Sequence, residues 1–166
     1  GVRVVHHSVQ RDHVHLIVEG RDRRELSDHM RRLFSRIARA VNSVAGRSGS
    51  LFRDRHHRHE LKGPTETRNA LVYVLFNERK HDFEGGGPIS DETMSSLDDR
   101  TSIGWVHLWS ERARPPPETL SRLRSRAIDG ELGDSPVSEP RTWLARSGWA
   151  EMGGGPMELH ELPRFW

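Results

Sequence analysis

Arg68-Asn-Ala-Leu-Val-Tyr-Val-Leu-Phe-Asn-Glu-Arg-Lys80 is apolar on most sides, yet it carries Tyr73, the only tyrosine in the chain. The spacing predicts a helix opened by Gly63-Pro64. On it Glu66, Asn69, Tyr73, Asn77 and Lys80 lie within about 40° either side of one line. Ala70, Leu71, Val72, Val74, Leu75 and Phe76 take the remaining directions. A helix apolar on most sides must be packed on most sides, so a polar line along it is expected to face a cleft. Tyr73 and Asn77, four residues apart, are neighbours on that line. Taken alone, such a tyrosine reads as an ordinary half-buried residue whose hydroxyl makes a hydrogen bond.

Toward the N-terminus, Val2–Val9 is rich in β-branched residues and Gln10-Arg-Asp12 is a polar turn. His13-Val-His-Leu-Ile-Val-Glu19 follows, and the whole reads as a β-hairpin. Alternation places Val14, Leu16 and Val18 on one face, with His13, His15, Ile17 and Glu19 on the other. Two imidazoles one residue apart on a strand point the same way and can share a divalent cation; an exposed histidine pair is the plain alternative. Gly20 ends the strand, and Asp22 with Glu25 forms a capping-box pattern. Leu26, Met30, Leu33, Ile37, Val41 and Val44 then predict a helix to about Ala45, whose other side carries Arg24, Arg31, Arg32, Arg36 and Arg39. A solvated charged face is the default reading of those arginines, and nucleic-acid contact is the sharper one. Leu51–Leu61 reads as a strand charged on both faces, hence at a sheet edge. Arg53, Arg55 and His57 on one side of it are candidates for contact with a phosphate backbone.

Residues 1–83 hold 17 Lys and Arg against 10 Asp and Glu, whereas residues 84–166 hold 9 against 14. A basic, arginine-rich half suits phosphate oxygens, although arginine bias also follows genome base composition. With no cysteine, disulfides and thiolate metal sites are excluded, and a reducing, cytoplasmic setting is expected. No apolar run approaches a membrane span and no signal peptide is visible, so no membrane partner is expected. Beyond Phe83 the stretches Glu84–Pro88, Pro115–Pro117 and Gly130–Pro136 are linker-like. Ile103–Trp109 is an apolar island expected to pack on the core, and residues 117–128 and 141–149 suit short helices.

His-Val-His on a strand, the segment Gly49-Ser-Leu-Phe-Arg-Asp-Arg-His-His57, and Tyr73 with Asn77 on a helix, in this order, resemble the HUH single-tyrosine transposases, in their REP-associated tyrosine transposase-like branch. The resemblance covers residues 2–83, with a weaker echo in Pro140–Trp149. It implies an α/β (α+β) ferredoxin-like domain, an antiparallel sheet with helices on one face, that nicks and rejoins single-stranded DNA through a covalent 5′-phosphotyrosine. It implies Tyr73 as nucleophile and His13, His15 and Asn77 as ligands of Mg²⁺ or Mn²⁺. The implied partner is single-stranded DNA containing a hairpin; from their charge, Arg53, Arg55, His57 and Lys80 are the residues expected to contact it. The chemistry is coherent: a cation offsets the charge that repels a nucleophile from a phosphodiester, and a phenolate is a tolerable leaving group, so the link is reversible without ATP.

The expected division is a catalytic core at 1–83, a linker-like region at 84–140, and a C-terminal helical extension with tail at 141–166. Relatives carry a strand and helix ahead of the segment that begins here at Gly1, so a shortened sheet with that strand and helix missing is expected. A truncated or domesticated DNA-binding protein without turnover is therefore the alternative function. An unrelated metal phosphohydrolase is disfavoured, because few carboxylates accompany the histidines.

Overall fold

The computed structural model describes residues 1–53, 56–84, 90–128 and 135–163, the side chains of 81–84 and 127–128 excepted. Strands β1 (Arg3–Val9) and β2 (Val14–Glu19) form the expected antiparallel hairpin, with Val9 opposite Val14 and Ser8 opposite His15. The Gln10 N–H donates to the His13 carbonyl at 2.9 Å and closes the turn. A register shift between Val4 and His6 is a β-bulge, and it turns the adjacent Val5 and His6 both inward, which regular alternation forbids. The far edge of β1 is occupied as well. Val9 donates to the Arg100 carbonyl at 3.0 Å, Ser102 to that of His7 at 2.9 Å, and Ser138 to that of Val4 at 2.8 Å.

The described residues fall into two units, one of Gly1–Val2 with Gly20–Glu60, the other of Arg3–Glu19 with Leu61–Trp166. In the smaller unit, helix α1 runs from Arg23 to Val44. Asp22 caps it by accepting from the Glu25 N–H at 2.8 Å, and the Glu25 carboxylate reaches back to the Arg21 N–H at 3.1 Å. Phe34 on this helix stacks edge-on against Phe52, ring centres 4.9 Å apart, which fastens the following segment to it.

Residues 51–53 and 56–61 have no regular structure, which corrects the strand expected there. The physical reason lies in its composition: charged on both faces, the segment has no side to bury. Arg53 and His57 are exposed in the smaller unit, and Arg55 lies outside the described residues. The sheet among the described residues accordingly has two strands, and the fold is mixed α+β, the class the sequence predicts.

In the larger unit the predicted tyrosine helix divides. Helix α2 spans Pro64–Leu75, Phe76 breaks it with φ −112° and ψ 26°, and α3 resumes over Asn77–Glu84. Ala70, Leu71, Val72, Val74, Leu75 and Phe76 are buried, together with Val5 and Ile17 of the hairpin. Each larger apolar side chain buried this way stabilises the fold by about 1.5–3 kcal/mol. The same core takes Ile103 and Val106 from a 3₁₀ turn (Ile103–Trp105) and its exit. Leu120 and Leu123 join from the next long helix (Pro117–Ile128), as do Trp109, Trp149 and Met157. The described part of residues 84–140 therefore supplies core, and the island at 103–109 packs as predicted; the linker-like stretches Glu84–Pro88 and Gly130–Pro136 fall mostly outside the described residues.

The C-terminal segment is tied to α2 and α3 by two arginines. Arg68 grips the Glu161 carboxylate with both terminal nitrogens, at 2.9 and 2.6 Å, and donates from Nε to the Gly155 carbonyl at 2.8 Å. Arg79, 2% exposed, donates to four carbonyls: Leu159 at 2.6 Å and Glu161, Met94 and Ser96 at 2.9 Å. Its guanidinium also lies 4.3 Å from the centre of the Phe76 ring. Burial lowers its pKa to about 10, so it stays charged at neutral pH. Gly153 allows the closest approach: a Cβ there would lie 2.6 Å from the Pro64 carbonyl oxygen and closer still to that of Trp149.

Candidate active site

Tyr73 is the half-buried member of a run, Ala70 to Asn77, whose other residues are buried. The helix therefore presents its phenol where it buries everything else. Ile17 is the buried residue of β2, and His15 shares its face, so the histidine face of the hairpin is the one turned toward α2. The His15 ring meets the Tyr73 ring edge to face, centres 5.1 Å apart at 74°. His13, at the end of the turn, stands edge-on to His15 at 4.7 Å and 76°. The cluster thus runs His13, His15, Tyr73, as the two-residue strand period and the polar helix line predict.

Lys80 completes one end. Its ammonium donates to the Tyr73 hydroxyl oxygen at 3.1 Å and lies 4.9 Å from the ring centre. Seven residues are about two helical turns, so the pair stays adjacent in spite of the break at Phe76. Lys80, expected from its charge at the DNA, here also holds the phenol oxygen. Asn77 opens α3 one turn after Tyr73, and at 1% exposure it is buried rather than open on the stripe.

By sequence Asp12 is a turn residue. Its Oδ1 lies 2.7 Å from His13 Nδ1, which suits an Nδ1–H tautomer and leaves Nε2 as the ring's acceptor. The signal for it was adjacency, a carboxylate directly before a histidine in a tight turn. Among the described residues no group of three or more His, Cys, Asp or Glu side chains is gathered to hold a metal ion. The donor set at issue is different in kind, two imidazoles and one amide. Such nitrogen-rich ligands fit Mn²⁺ better than Mg²⁺, which prefers oxygen.

A separate histidine pair lies on β1. His6 is buried, and its Nδ1 sits 3.0 Å from the Ser102 hydroxyl, which accepts the His7 N–H at 2.9 Å. Burial, with His107 and His7 nearby, lowers the His6 pKa to about 3, and burial also lowers that of His7. Ser102 is fully buried and His6 is buried against it, while His7 is half-buried.

No helix among the described residues is long and apolar enough to cross a membrane. Comparison with family models, with curated proteins and with solved structures found no match for this chain. The fold and cluster define a mixed α+β protein with a tyrosine set between a strand histidine pair and a lysine.

Proposed function

We propose that the chain is a DNA-nicking and strand-transfer enzyme in which Tyr73 attacks a phosphodiester of single-stranded DNA. The observation that carries this reading is the setting of the Tyr73 phenol, bounded by the His15 ring at 5.1 Å and the Lys80 ammonium at 3.1 Å. In the first step the phenol oxygen bonds to phosphorus, the bond from phosphorus to the 3′ oxygen breaks, and a proton passes to that oxygen. The products are a 5′-phosphotyrosine and a free 3′ hydroxyl. Rejoining reverses these changes, with Tyr73 leaving as the incoming 3′ oxygen bonds to phosphorus. Lys80 holds the phenol oxygen in the first step and offsets its charge as it leaves in the second.

His13 and His15, with Asn77, are the residues that would hold Mn²⁺ or Mg²⁺, and Asp12 fixes the ring of His13. Such a cation, when bound, supplies charge that polarises the scissile phosphate. Labelled single-stranded DNA carrying a hairpin, incubated with Mn²⁺ or Mg²⁺ and the folded protein, is expected to yield a covalent adduct that Tyr73→Phe abolishes. An adduct that survives Tyr73→Phe removes the tyrosine from its role. DNA binding without any adduct from folded wild-type protein instead supports the alternative, a domesticated binding protein.

A further inference from the structure

Within the larger unit a cavity of about 340 Å³ opens beside the bulge of β1, at the small end of the roughly 300–1,000 Å³ usual for ligand sites. Val5, Trp105, Val137 and Pro140 give it apolar walls. Its frame is fixed from two directions. The Ser138 N–H donates to the Val4 carbonyl at 2.8 Å, which ties the Val137 wall to β1. The N–H groups of Arg141 and Thr142 donate to the Glu19 carboxylate at 2.8 and 2.9 Å, which anchors the helical turn Leu144–Gly148 that carries Arg146.

His6 lines this cavity and is only 6% exposed. Its Nδ1 sits 3.0 Å from the Ser102 hydroxyl; its Nε2 makes no hydrogen bond to a described residue, yet is not sealed from solvent. A largely buried polar atom without a partner costs stability, and a ligand group that reaches it recovers that cost. Burial, with His107 and His7 nearby, lowers the His6 pKa to about 3, so the ring is neutral at neutral pH. It therefore calls for an uncharged partner such as a hydroxyl, which can donate or accept. His107, which also lines the cavity, is committed at Nε2, where its N–H donates to the Arg146 carbonyl at 2.8 Å. His6, His107 and Glu139 are not gathered as a metal-holding set, so these polar groups suit an organic ligand.

The rim carries one charge of each sign. Glu139 and Arg146 both line the cavity and are exposed, and neither has an ion-pair partner among the described residues, each other included. Opposite charges that share a cleft without meeting suit a ligand that carries both. We propose that this cavity binds a free aromatic α-amino acid with a hydroxylated ring, of the L-tyrosine type. Its ammonium lies at Glu139 and its carboxylate at Arg146, with the ring between Trp105 and the aliphatic walls and the hydroxyl on His6 Nε2. The site is independent of the DNA chemistry proposed for Tyr73.

Ligand-observed NMR titration of the full chain with L-tyrosine is expected to show saturable binding. L-Phenylalanine, which lacks the hydroxyl, should bind about 10-fold more weakly. R146Q should weaken L-tyrosine binding about 5- to 10-fold and leave that of tyramine, which has no carboxylate, unchanged. E139Q should weaken L-tyrosine by a similar factor and leave desaminotyrosine, which has no ammonium, unchanged. Both positions are exposed, so the fold is expected to be retained, which circular dichroism checks. The proposal is overturned if L-tyrosine shows no saturable binding at millimolar concentration, or if phenylalanine binds as tightly. It is overturned equally if each variant weakens the ligand lacking the matching charge as much as it weakens L-tyrosine.

Discussion

Acid should destabilise this protein through His6 before it protonates the carboxylates. The imidazole is buried with its Nδ1 3.0 Å from the Ser102 hydroxyl, and burial disfavours the charged ring. Its pKa falls from 6.5 to about 3 on folding. Between those values the unfolded chain binds a proton that the native state refuses, so stability falls as pH falls, by up to about 1.4 kcal/mol per pH unit. From neutrality to about pH 5 the loss from this one group is about 2 kcal/mol, a large part of the 5–15 kcal/mol typical of a domain. His7, shifted the same way by burial, adds to it. The carboxylates of Asp22 and Glu25, whose pKa values are lowered by backbone N–H donors, lose their contribution only at lower pH, so this window isolates the histidines. Urea unfolding followed by circular dichroism at pH 7, 6 and 5 gives the slope. His6→Asn keeps a polar group beside Ser102 but cannot take up the proton, and should flatten the dependence by about 1 kcal/mol per unit. Equal slopes for His6→Asn and the parent would refute the reasoning.

Arg79→Met leaves four carbonyl oxygens without their donor and should cost about 3–5 kcal/mol in urea unfolding; a loss under about 1 kcal/mol would show that those carbonyls are hydrated. Gly153→Ala forces the backbone away from Pro64 and Trp149, and a fall of about 1–3 kcal/mol is expected, with stability unchanged the contrary result. On the proposed mechanism, Lys80→Met should slow adduct formation roughly 10- to 100-fold, well beyond the loss in DNA binding that removal of one phosphate-contacting charge brings. Lys80→Arg should restore part of that rate, and an unchanged rate for Lys80→Met would remove the lysine from the chemistry.

Arginine carries different meanings in this chain that its composition does not separate. Arg68 and Arg79 belong to the basic half whose charge suggests phosphate contact, yet both are consumed by the fold, one by Glu161 and the other by four main-chain carbonyls. Arg32, Arg36 and Arg39 remain exposed. Side chains of one chemistry are sorted by whether a distant segment supplies acceptors, and the acceptors here come from residues 94–96 and 155–161.

What the sequence determined by itself was local and periodic. The hairpin, the capped helix from Arg23 to Val44, the polar line of the tyrosine helix and the shared face of His13 and His15 all follow from spacings of two, three and four residues. Steric rules of the backbone act over the same range, so pattern alone suffices for them. The tertiary structure decided the rest. It broke the tyrosine helix at Phe76, turned Val5 and His6 inward together at a bulge, and set the Lys80 ammonium on the Tyr73 hydroxyl. It left Leu51–Leu61, which alternation made a strand, without regular structure wherever described. Each of these depends on whether a partner far along the chain is present to bury a face, accept a hydrogen bond or extend a sheet. No local period encodes that, because burial and hydrogen-bond satisfaction are properties of the packed chain as a whole.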